Sequence, residues 1–139
     1  MARVLVIDDD NLFVKLMVHA LTERGHAVAF AYDGLAGLRE FAAAKFDAVV
    51  CDLVMPEQEG VETIRLLRRQ TTEVGIVAIS SGLRSSTSAV DVLQFASKFG
   101  ADVTLKKPFK LSQLVAAVDE AMSLRNLSGA AGGSNSGAT

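Results

Sequence analysis

The segment Val4-Leu5-Val6-Ile7-Asp8-Asp9-Asp10 decides the fold, because an unbroken apolar run ends abruptly in three acids. A run of this kind is typical of a strand that is buried on both faces of a parallel sheet. Comparable runs occur at residues 48–51 and 76–79, and weaker ones at residues 27–31 and 103–105. The sequence therefore predicts five strands, and the mixed character of the last run suits the edge of a sheet.

Helical patterns separate the predicted strands. The apolar residues that follow the first strand keep helical spacing, and they are Leu12, Phe13, Leu16, Met17, Ala20 and Leu21. Similar patterns begin at Leu35, Val61, Val92 and Leu111. Strict alternation of strands and helices implies right-handed crossovers, and so a doubly wound parallel sheet with helices on both faces.

Composition limits the class of protein. The 139 residues are 50% apolar and 22% charged, with a formal net charge of -2. These values exclude disorder over most of the chain and predict one domain with its own core. The mild negative charge offers no field that attracts nucleic acid, and no apolar run approaches the roughly 18 residues that a membrane span needs. We therefore expect no direct nucleic acid partner and no membrane partner.

The two ends of the chain and the single cysteine allow three further predictions, about location, the environment of Cys51 and the domain boundary. The N-terminus has no signal-peptide pattern, so we expect a cytoplasmic protein. Cys51 lies inside an apolar run and is expected to be a small buried side chain rather than a reactive thiol. Residues 1–126 are predicted to form the domain, and residues 127–139, which are rich in Gly, Ser and Ala, a flexible tail.

Polar residues follow the predicted strands at the point where each strand ends. Three aspartates at residues 8–10 follow the first strand, Asp52 ends the third, Ser80 the fourth, and Lys107 follows the fifth. In open parallel sheets, ligands bind outside the carboxyl ends of the strands. These carboxylates, the hydroxyl and the ammonium are therefore candidates for one shared site.

Carboxylates crowded at one edge of a sheet need a cation. Their mutual repulsion raises the pKa of at least one of them unless positive charge neutralises them. Oxygen ligands of this kind suit Mg²⁺, which is typically held by one or two carboxylates and a phosphate oxygen. A zinc site is not expected, because His19 and His26 are isolated in the sequence.

Together these segments resemble the receiver domain of two-component response regulators. The resemblance rests on residues 4–9, 49–56, 79–80 and 107–109, in that order, and covers residues 2 to about 126. It implies a flavodoxin-like fold, with a five-stranded parallel sheet in the order 2-1-3-4-5 flanked by five helices. It also implies a phospho-accepting regulator rather than a conventional enzyme, with self-catalysed phosphoryl transfer and autodephosphorylation.

The resemblance gives the acids their roles. Asp52 is expected to accept a phosphoryl group from a histidine kinase, a phosphotransfer protein or a small phosphodonor. Mg²⁺ is expected to be held by Asp9 directly, by Asp8 through water, by Asp52, and by the backbone carbonyl of Val54.

The resemblance also assigns the remaining residues at the strand ends. Ser80 and Lys107 are expected to contact the phosphoryl oxygens, and the Lys107–Pro108 peptide is expected to be cis. The loop after Ser80 then moves and reshapes the face of predicted helix four, strand five and predicted helix five. A downstream protein partner binds that face, and the protein acts as a monomer or as a phosphorylation-dependent dimer.

Two positions depart from the pattern of the family. Thr104 stands where receivers carry an aromatic switch residue, so coupling through an inward-turning ring cannot operate in that form. Glu59 precedes Gly60 where many receivers have Asp-Gly. The expected switching is therefore weaker or differently routed than in the family pattern.

Other interpretations of the acids remain open at this point. Asp8 and Asp10 after an apolar strand also match the opening of aspartate-nucleophile phosphatases of the haloacid dehalogenase type. Those enzymes need a further acidic pair after a later strand, and none occurs between Ile79 and Lys107. Asp10 can equally be the N-cap of the first helix. A flavin carrier is disfavoured because the chain has no Trp and one Tyr.

The third predicted helix carries a basic cluster of Arg65, Arg68 and Arg69. We expect these side chains to form a solvated face rather than a patch for a partner. Glu62 lies one turn earlier, where it can pair with Arg65.

Overall fold

A computed structural model describes residues 2–53, 59–80 and 97–133. Its sheet is parallel throughout, in the order β2-β1-β3-β4-β5. The strands are β1 Arg3–Ile7, β2 Ala27–Ala31, β3 Ala48–Asp52, β4 Gly75–Ser80 and β5 Val103–Lys106. Each apolar run of the sequence is thus a strand, and the doubly wound parallel sheet is confirmed. The weakest run forms β5 at one edge of the sheet, as its mixed composition predicts.

The described residues contain the helices α1 Asn11–Glu23, α2 Gly34–Ala43, α3 Glu59–Gln70 and α4 Leu111–Gly133. Most of the helix predicted around Val92 lies outside the described residues, which include only its helical residues 97 and 98. Helix α4 is therefore the last of the five predicted helices. Asp10 and Asp33 cap α1 and α2, because each side chain accepts a hydrogen bond from a backbone N–H three residues later. None of these helices is long and apolar enough to cross a membrane.

The core lies on both faces of the sheet. Successive side chains of a strand point to opposite faces, so Leu5 packs with the cluster under α2 and α3, and Val4 with the cluster under α1 and α4. Every residue of β3 and β4 is buried. Cys51 is a small buried side chain in the first cluster, as predicted. The central strands therefore form a rigid support for the residues at their ends.

A buried charge network at the amino ends of β4 and β5 corrects the expected solvated role of Arg68. This side chain is only 12% exposed, and its guanidinium donates to the carboxylate of Asp102 at 2.5 Å, to the carbonyl of Val74 at 2.6 Å and to that of Gly100 at 2.8 Å. Arg125 of α4 donates to the other oxygen of Asp102 at 2.8 Å. Helical spacing could not reveal this role, because Gly100 and Asp102 are distant from Arg68 in sequence.

The neighbours of Arg68 behave as expected. Arg65 donates to Glu62 at 3.0 Å on the surface of α3, and Arg69 is exposed.

Among the histidines, His19 is exposed beside Glu23, and neither His19 nor His26 joins a metal cluster of the described residues.

Helix α4 continues past residue 126, where the predicted domain ends, as far as Gly133. The first part of the predicted flexible tail is therefore helical. Each residue added to an existing helix gains a backbone hydrogen bond without a new nucleation cost, and Leu and Ala are good helix formers. Residues 134–139 lie outside the described residues.

Candidate functional site

The carboxyl ends of β1 and β3 bring three aspartates together. Ile7 and Cys51 are register partners on these neighbouring strands, so Asp8 and Asp52, which follow them, lie side by side. With Asp9 they form an acidic cluster in which one carboxylate oxygen of each residue lies within 4.8 Å of the others. Asp8 and Asp52 are buried, and Asp9 is exposed.

Asp8 has the most perturbed environment of the three acids. Its Oδ1 accepts a hydrogen bond from the backbone N–H of Asp10 at 2.9 Å, whereas its buried Oδ2 has no hydrogen-bond partner in the described part of the chain. Burial, and then the adjacent charge of Asp52, raises the pKa of Asp8 to about 7. A cation at the cluster would favour the ionised form and lower this pKa.

This donor set fits a hard divalent cation such as Mg²⁺. Carboxylate oxygens are its preferred protein ligands. The buried Oδ2 of Asp8 has no hydrogen-bond partner in the described part of the chain, and a contact with the metal would satisfy it. The exposed position of Asp9 leaves the cluster open to the waters that Mg²⁺ retains. Val54, whose carbonyl the resemblance adds to the ligand set, lies outside the described residues.

Lys107 reaches the acidic cluster from the end of β5. Its backbone N–H donates to the carbonyl of Ser80 at 2.9 Å, which holds the end of β5 against β4. Its ammonium donates to Oδ2 of Asp52 at 3.4 Å and lies 3.7 Å from Oδ2 of Asp8. The Lys107–Pro108 peptide is cis, as the resemblance implies. A single ammonium thus faces two buried carboxylates.

Ser80 ends β4, between the strands that carry Asp52 and Lys107. Its side chain is buried, and its hydroxyl has no hydrogen-bond partner among the described residues. Burying a hydroxyl without a partner is costly, so this group is suited to a ligand that enters the site. Thr104 pairs in register with Ala78 one strand away and offers no ring to this region. The segment after Ser80, residues 81–96, is outside the described part of the chain.

Asp10 has a structural role at the start of α1. Its Oδ1 accepts a hydrogen bond from the backbone N–H of Phe13 at 3.1 Å, which is the geometry of an N-cap. Of the two interpretations of this acid that the sequence left open, the structure supports capping.

Two features beside the cluster were missed in the sequence. The first is Gly60, which the sequence analysis mentioned only because Glu59 precedes it where many receivers have Asp. A Cβ at this residue would lie 2.6 Å from the Cα of Leu53 and overlap the carbonyl oxygen of Asp52. Phe13, interpreted as a core residue of α1, places its ring 4.6 Å from the Lys107 ammonium. Glycine at the start of a helix is a weak signal of close packing, and nothing in the sequence pairs Phe13 with Lys107.

Most of the chain matches known proteins. A family model described as the response regulator receiver domain matches residues 4–119. This chain belongs to the response regulator receiver domain family. Receiver domains of this family belong to the response regulators of two-component systems. The resemblance stated from the sequence is thereby confirmed.

Curated relatives of this receiver are longer proteins. The transcriptional regulatory protein PrrA of Mycobacterium tuberculosis is 37% identical over 116 residues, which are 84% of this chain and 48% of that protein. This chain spans about half the length of the curated relatives it matches.

Solved structures of receivers share the fold. A response regulator receiver domain protein from Clostridium thermocellum has a TM-score of 0.81 and 26% identity, covering 91% of this chain and 98% of that one. A response regulator protein from Burkholderia pseudomallei has a TM-score of 0.75 and 27% identity, covering 96% of this chain and 76% of that one. That protein was crystallised with a phosphorylated aspartic acid, a calcium ion and citrate.

Proposed function

We propose that this receiver is a phosphorylation switch in which Asp52 accepts the phosphoryl group. One observation carries the proposal: the buried carboxylate of Asp52 lies in a cluster with Asp8 and Asp9, and the Lys107 ammonium is 3.4 Å from its Oδ2. A carboxylate that attacks an anionic phosphoryl group needs positive charge around the reacting oxygens. The Lys107 ammonium and a cation held by the three acids would supply it.

The proposed reaction is a displacement at phosphorus. An oxygen of Asp52 uses a lone pair to form a new O–P bond, while the P–N bond of a phosphohistidine breaks and its electrons return to the imidazole nitrogen. With acetyl phosphate as donor, a P–O bond breaks and acetate leaves. The natural donor would be a histidine kinase or a phosphotransfer protein.

The neighbours of Asp52 would stabilise the transferred group. Lys107 would pair with one phosphoryl oxygen, and the Ser80 hydroxyl would donate a hydrogen bond to another. The lack of a partner for that hydroxyl in the described residues supports this role. Neither side chain gains or loses a proton in the proposed reaction. Lys107 would act through its charge, and Ser80 through its hydrogen bond.

Mg²⁺ would be held by Asp8, Asp9, Asp52 and the backbone carbonyl of Val54. When bound, the ion would neutralise charge on the phosphoryl oxygens. The raised pKa of Asp8 supports this assignment, because a buried carboxyl beside a second carboxylate retains its proton near neutral pH when no cation is bound. The Burkholderia pseudomallei structure, which contains both a phosphorylated aspartic acid and a calcium ion, supports the use of a divalent ion by a receiver of this fold.

The output would come from a changed protein surface. A phosphoryl oxygen that binds Ser80 would draw the end of β4 and the segment after it toward Asp52. The affected face would comprise the helix predicted around Val92, β5 and α4, and would bind a downstream protein or a second copy of the chain. Since Thr104 carries no ring, the change would run through Ser80 and the backbone. The match to the transcriptional regulator PrrA covers 48% of that protein, so an output region in the rest of such a protein is a further candidate for the partner.

We retain residues 1–126 as the receiver domain. The last buried apolar residues of α4 for which burial is described are Val118 and Ala121, which precede that boundary. The residues from 127 to Gly133 continue the helix beyond it.

The alternative phosphatase, with Asp8 and Asp10 as its catalytic acids, has less support. The Asp10 carboxylate is engaged by the backbone N–H of Phe13 at the start of α1. A nucleophile must be ionised, and in the absence of a cation the raised pKa of Asp8 keeps a large share of this carboxyl protonated near neutral pH.

The proposal is tested by intact-mass spectrometry after incubation with acetyl phosphate and Mg²⁺. Wild-type protein should gain the mass of one phosphoryl group, and Asp52→Asn should gain none. Asp119→Asn is the matched control, because Asp119 is an exposed acid on α4, and it should behave as wild type. Labelling of Asp52→Asn to the wild-type level would refute the assignment of the acceptor.

A further inference from the structure

The ammonium of Lys107 is held from two sides. On one side it faces Oδ2 of Asp52 and Oδ2 of Asp8, at 3.4 Å and 3.7 Å. On the other side it lies over the ring of Phe13, 4.6 Å from the ring centroid. The face of an aromatic ring is electron-rich and attracts a cation within about 6 Å of its centroid. An aliphatic side chain at residue 13 would exert no such attraction.

The position of Phe13 is tied to the acidic cluster through the backbone. The N–H of Asp10 donates to Oδ1 of Asp8, and the N–H of Phe13 donates to the Asp10 side chain. These two bonds set the first turn of α1 relative to Asp8. These contacts also lead back to Asp8, because the Phe13 ring contacts the Lys107 ammonium and that ammonium faces Asp8.

The orientation of the ring is set by a second aromatic residue. Phe109 follows the Lys107–Pro108 peptide, and its ring packs against Phe13 in an edge-to-face arrangement, with centroids 5.6 Å apart and planes at 62°. Edge-to-face geometry is a favoured arrangement of two aromatic rings. Phe109 therefore helps to hold the face of Phe13 toward the lysine.

We propose that Phe13 is a positioning residue for phosphoryl transfer, whose ring holds the Lys107 ammonium beside Asp52. This inference rests on the proposed function of Asp52. Lysine has a long, flexible side chain, and that of Lys107 is 23% exposed, so packing alone does not fix its position. The ring restricts the ammonium to the side of the cluster where the phosphoryl oxygens develop charge, before any donor arrives.

Three variants separate this role from ordinary packing. Phe13→Leu keeps an apolar side chain and removes the ring face, whereas Phe13→Tyr keeps the ring. Leu12→Ala is the control, because Leu12 is on the same turn of α1 and is 68% exposed. Thermal unfolding of each variant shows whether it is folded at the temperature of the assay.

The first measurement requires neither metal nor phosphodonor. In the NMR spectrum of the metal-free protein, the ε-methylene protons of Lys107 should carry an upfield ring-current shift. That shift should be lost in Phe13→Leu and retained in Phe13→Tyr and Leu12→Ala. An unchanged lysine resonance in Phe13→Leu would overturn the inference, whatever the outcome of the labelling assay.

The second measurement is the initial rate at which acetyl phosphate labels Asp52 in the presence of Mg²⁺. Phe13→Leu should slow labelling by about 2- to 10-fold, the range expected for loss of one cation–π contact. Phe13→Tyr and Leu12→Ala should stay close to wild type. Equal rates in Phe13→Leu and wild type, or equal losses in Phe13→Leu and Phe13→Tyr, would overturn a positioning role of the ring. Failure of wild-type protein to be labelled at Asp52 would instead overturn the proposed function.

Discussion

Asp8 combines complete burial with an adjacent carboxylate, and its ionisation should therefore depend on folding. Its pKa is raised from 3.8 to about 7, so the folded protein keeps this proton at pH values where the unfolded chain has lost it. This difference in pKa stabilises the folded protein. The stabilisation is fully present below pH 3.8 and is lost as the pH rises toward 7. Across that window the loss amounts to at most about 4 kcal/mol.

We predict that metal-free wild-type protein loses stability relative to Asp8→Asn as the pH rises from 4 to 8. The asparagine cannot ionise, so the variant lacks this penalty. Urea unfolding in the presence of EDTA, at several pH values, measures the difference. Mg²⁺ should restore wild-type stability at the upper end of the range and have less effect on Asp8→Asn. A difference between the two proteins that stays constant with pH would contradict the account.

Single residues divide sharply into those that the sequence could identify and those that it could not. Asp8, Asp52 and Lys107 stand directly at strand ends, where chain topology alone brings them to one edge. The contact between Phe13 and Lys107, by contrast, is a tertiary contact between the start of α1 and the end of β5. No local sequence pattern encodes such a contact, so it can be identified only from the three-dimensional structure.

The packing of α3 against the end of β3 depends on the absence of a side chain at Gly60. A methyl group there would meet the backbone of Asp52 and Leu53, which cannot move aside as a flexible side chain could. The start of α3 and the acceptor aspartate are therefore mechanically connected.

We predict that Gly60→Ala lowers the free energy of unfolding by about 1 to 3 kcal/mol and also slows labelling of Asp52. Chemical unfolding and the acetyl phosphate assay measure the two effects. Gly25→Ala is the control: its φ of +90° strains an alanine, but the added Cβ meets no atom within 4 Å. That variant should lose stability through strain alone and be labelled at the normal rate. Normal labelling of Gly60→Ala would show that the contact does not position Asp52.

The network around Asp102 joins α3, β4 and α4 at the end of the sheet remote from the acidic cluster. One carboxylate accepts hydrogen bonds from Arg68, from Arg125 and from the backbone N–H of Ile76. Burial lowers the pKa of Arg68, and the charge of Asp102 opposes this effect. Loss of that carboxylate would leave two largely buried guanidinium groups without their counter-charge.

We predict that Asp102→Asn lowers the free energy of unfolding by about 3 kcal/mol, because breaking a buried ion pair exposes the cost of its desolvated partners. Arg65→Gln, which removes the exposed pair with Glu62, should cost less than about 1 kcal/mol. Urea denaturation compares the two. Similar losses in both variants would mean that the Asp102 network contributes no more than a surface ion pair.

The architecture as a unit was largely predictable from periodicity. Continuous apolar runs indicated buried parallel strands, and alternation with helical patterns indicated a doubly wound sheet. The order of the strands came from the resemblance to receivers, because periodicity does not specify which strands are neighbours. The end of α4 was misjudged because composition describes the tail of 127–139 as a whole, whereas helix growth depends on the residues next to an existing end.

The most direct test of the molecule as a phospho-acceptor is chemical identification of the labelled carboxylate. Borohydride converts an aspartyl phosphate to homoserine, which peptide sequencing by mass spectrometry locates to a single position. After treatment with acetyl phosphate and Mg²⁺, followed by borohydride, we expect homoserine at residue 52 of the wild-type protein. Homoserine at residue 8 instead, or unmodified aspartate at residue 52 in protein that has gained a phosphoryl group, would contradict the account.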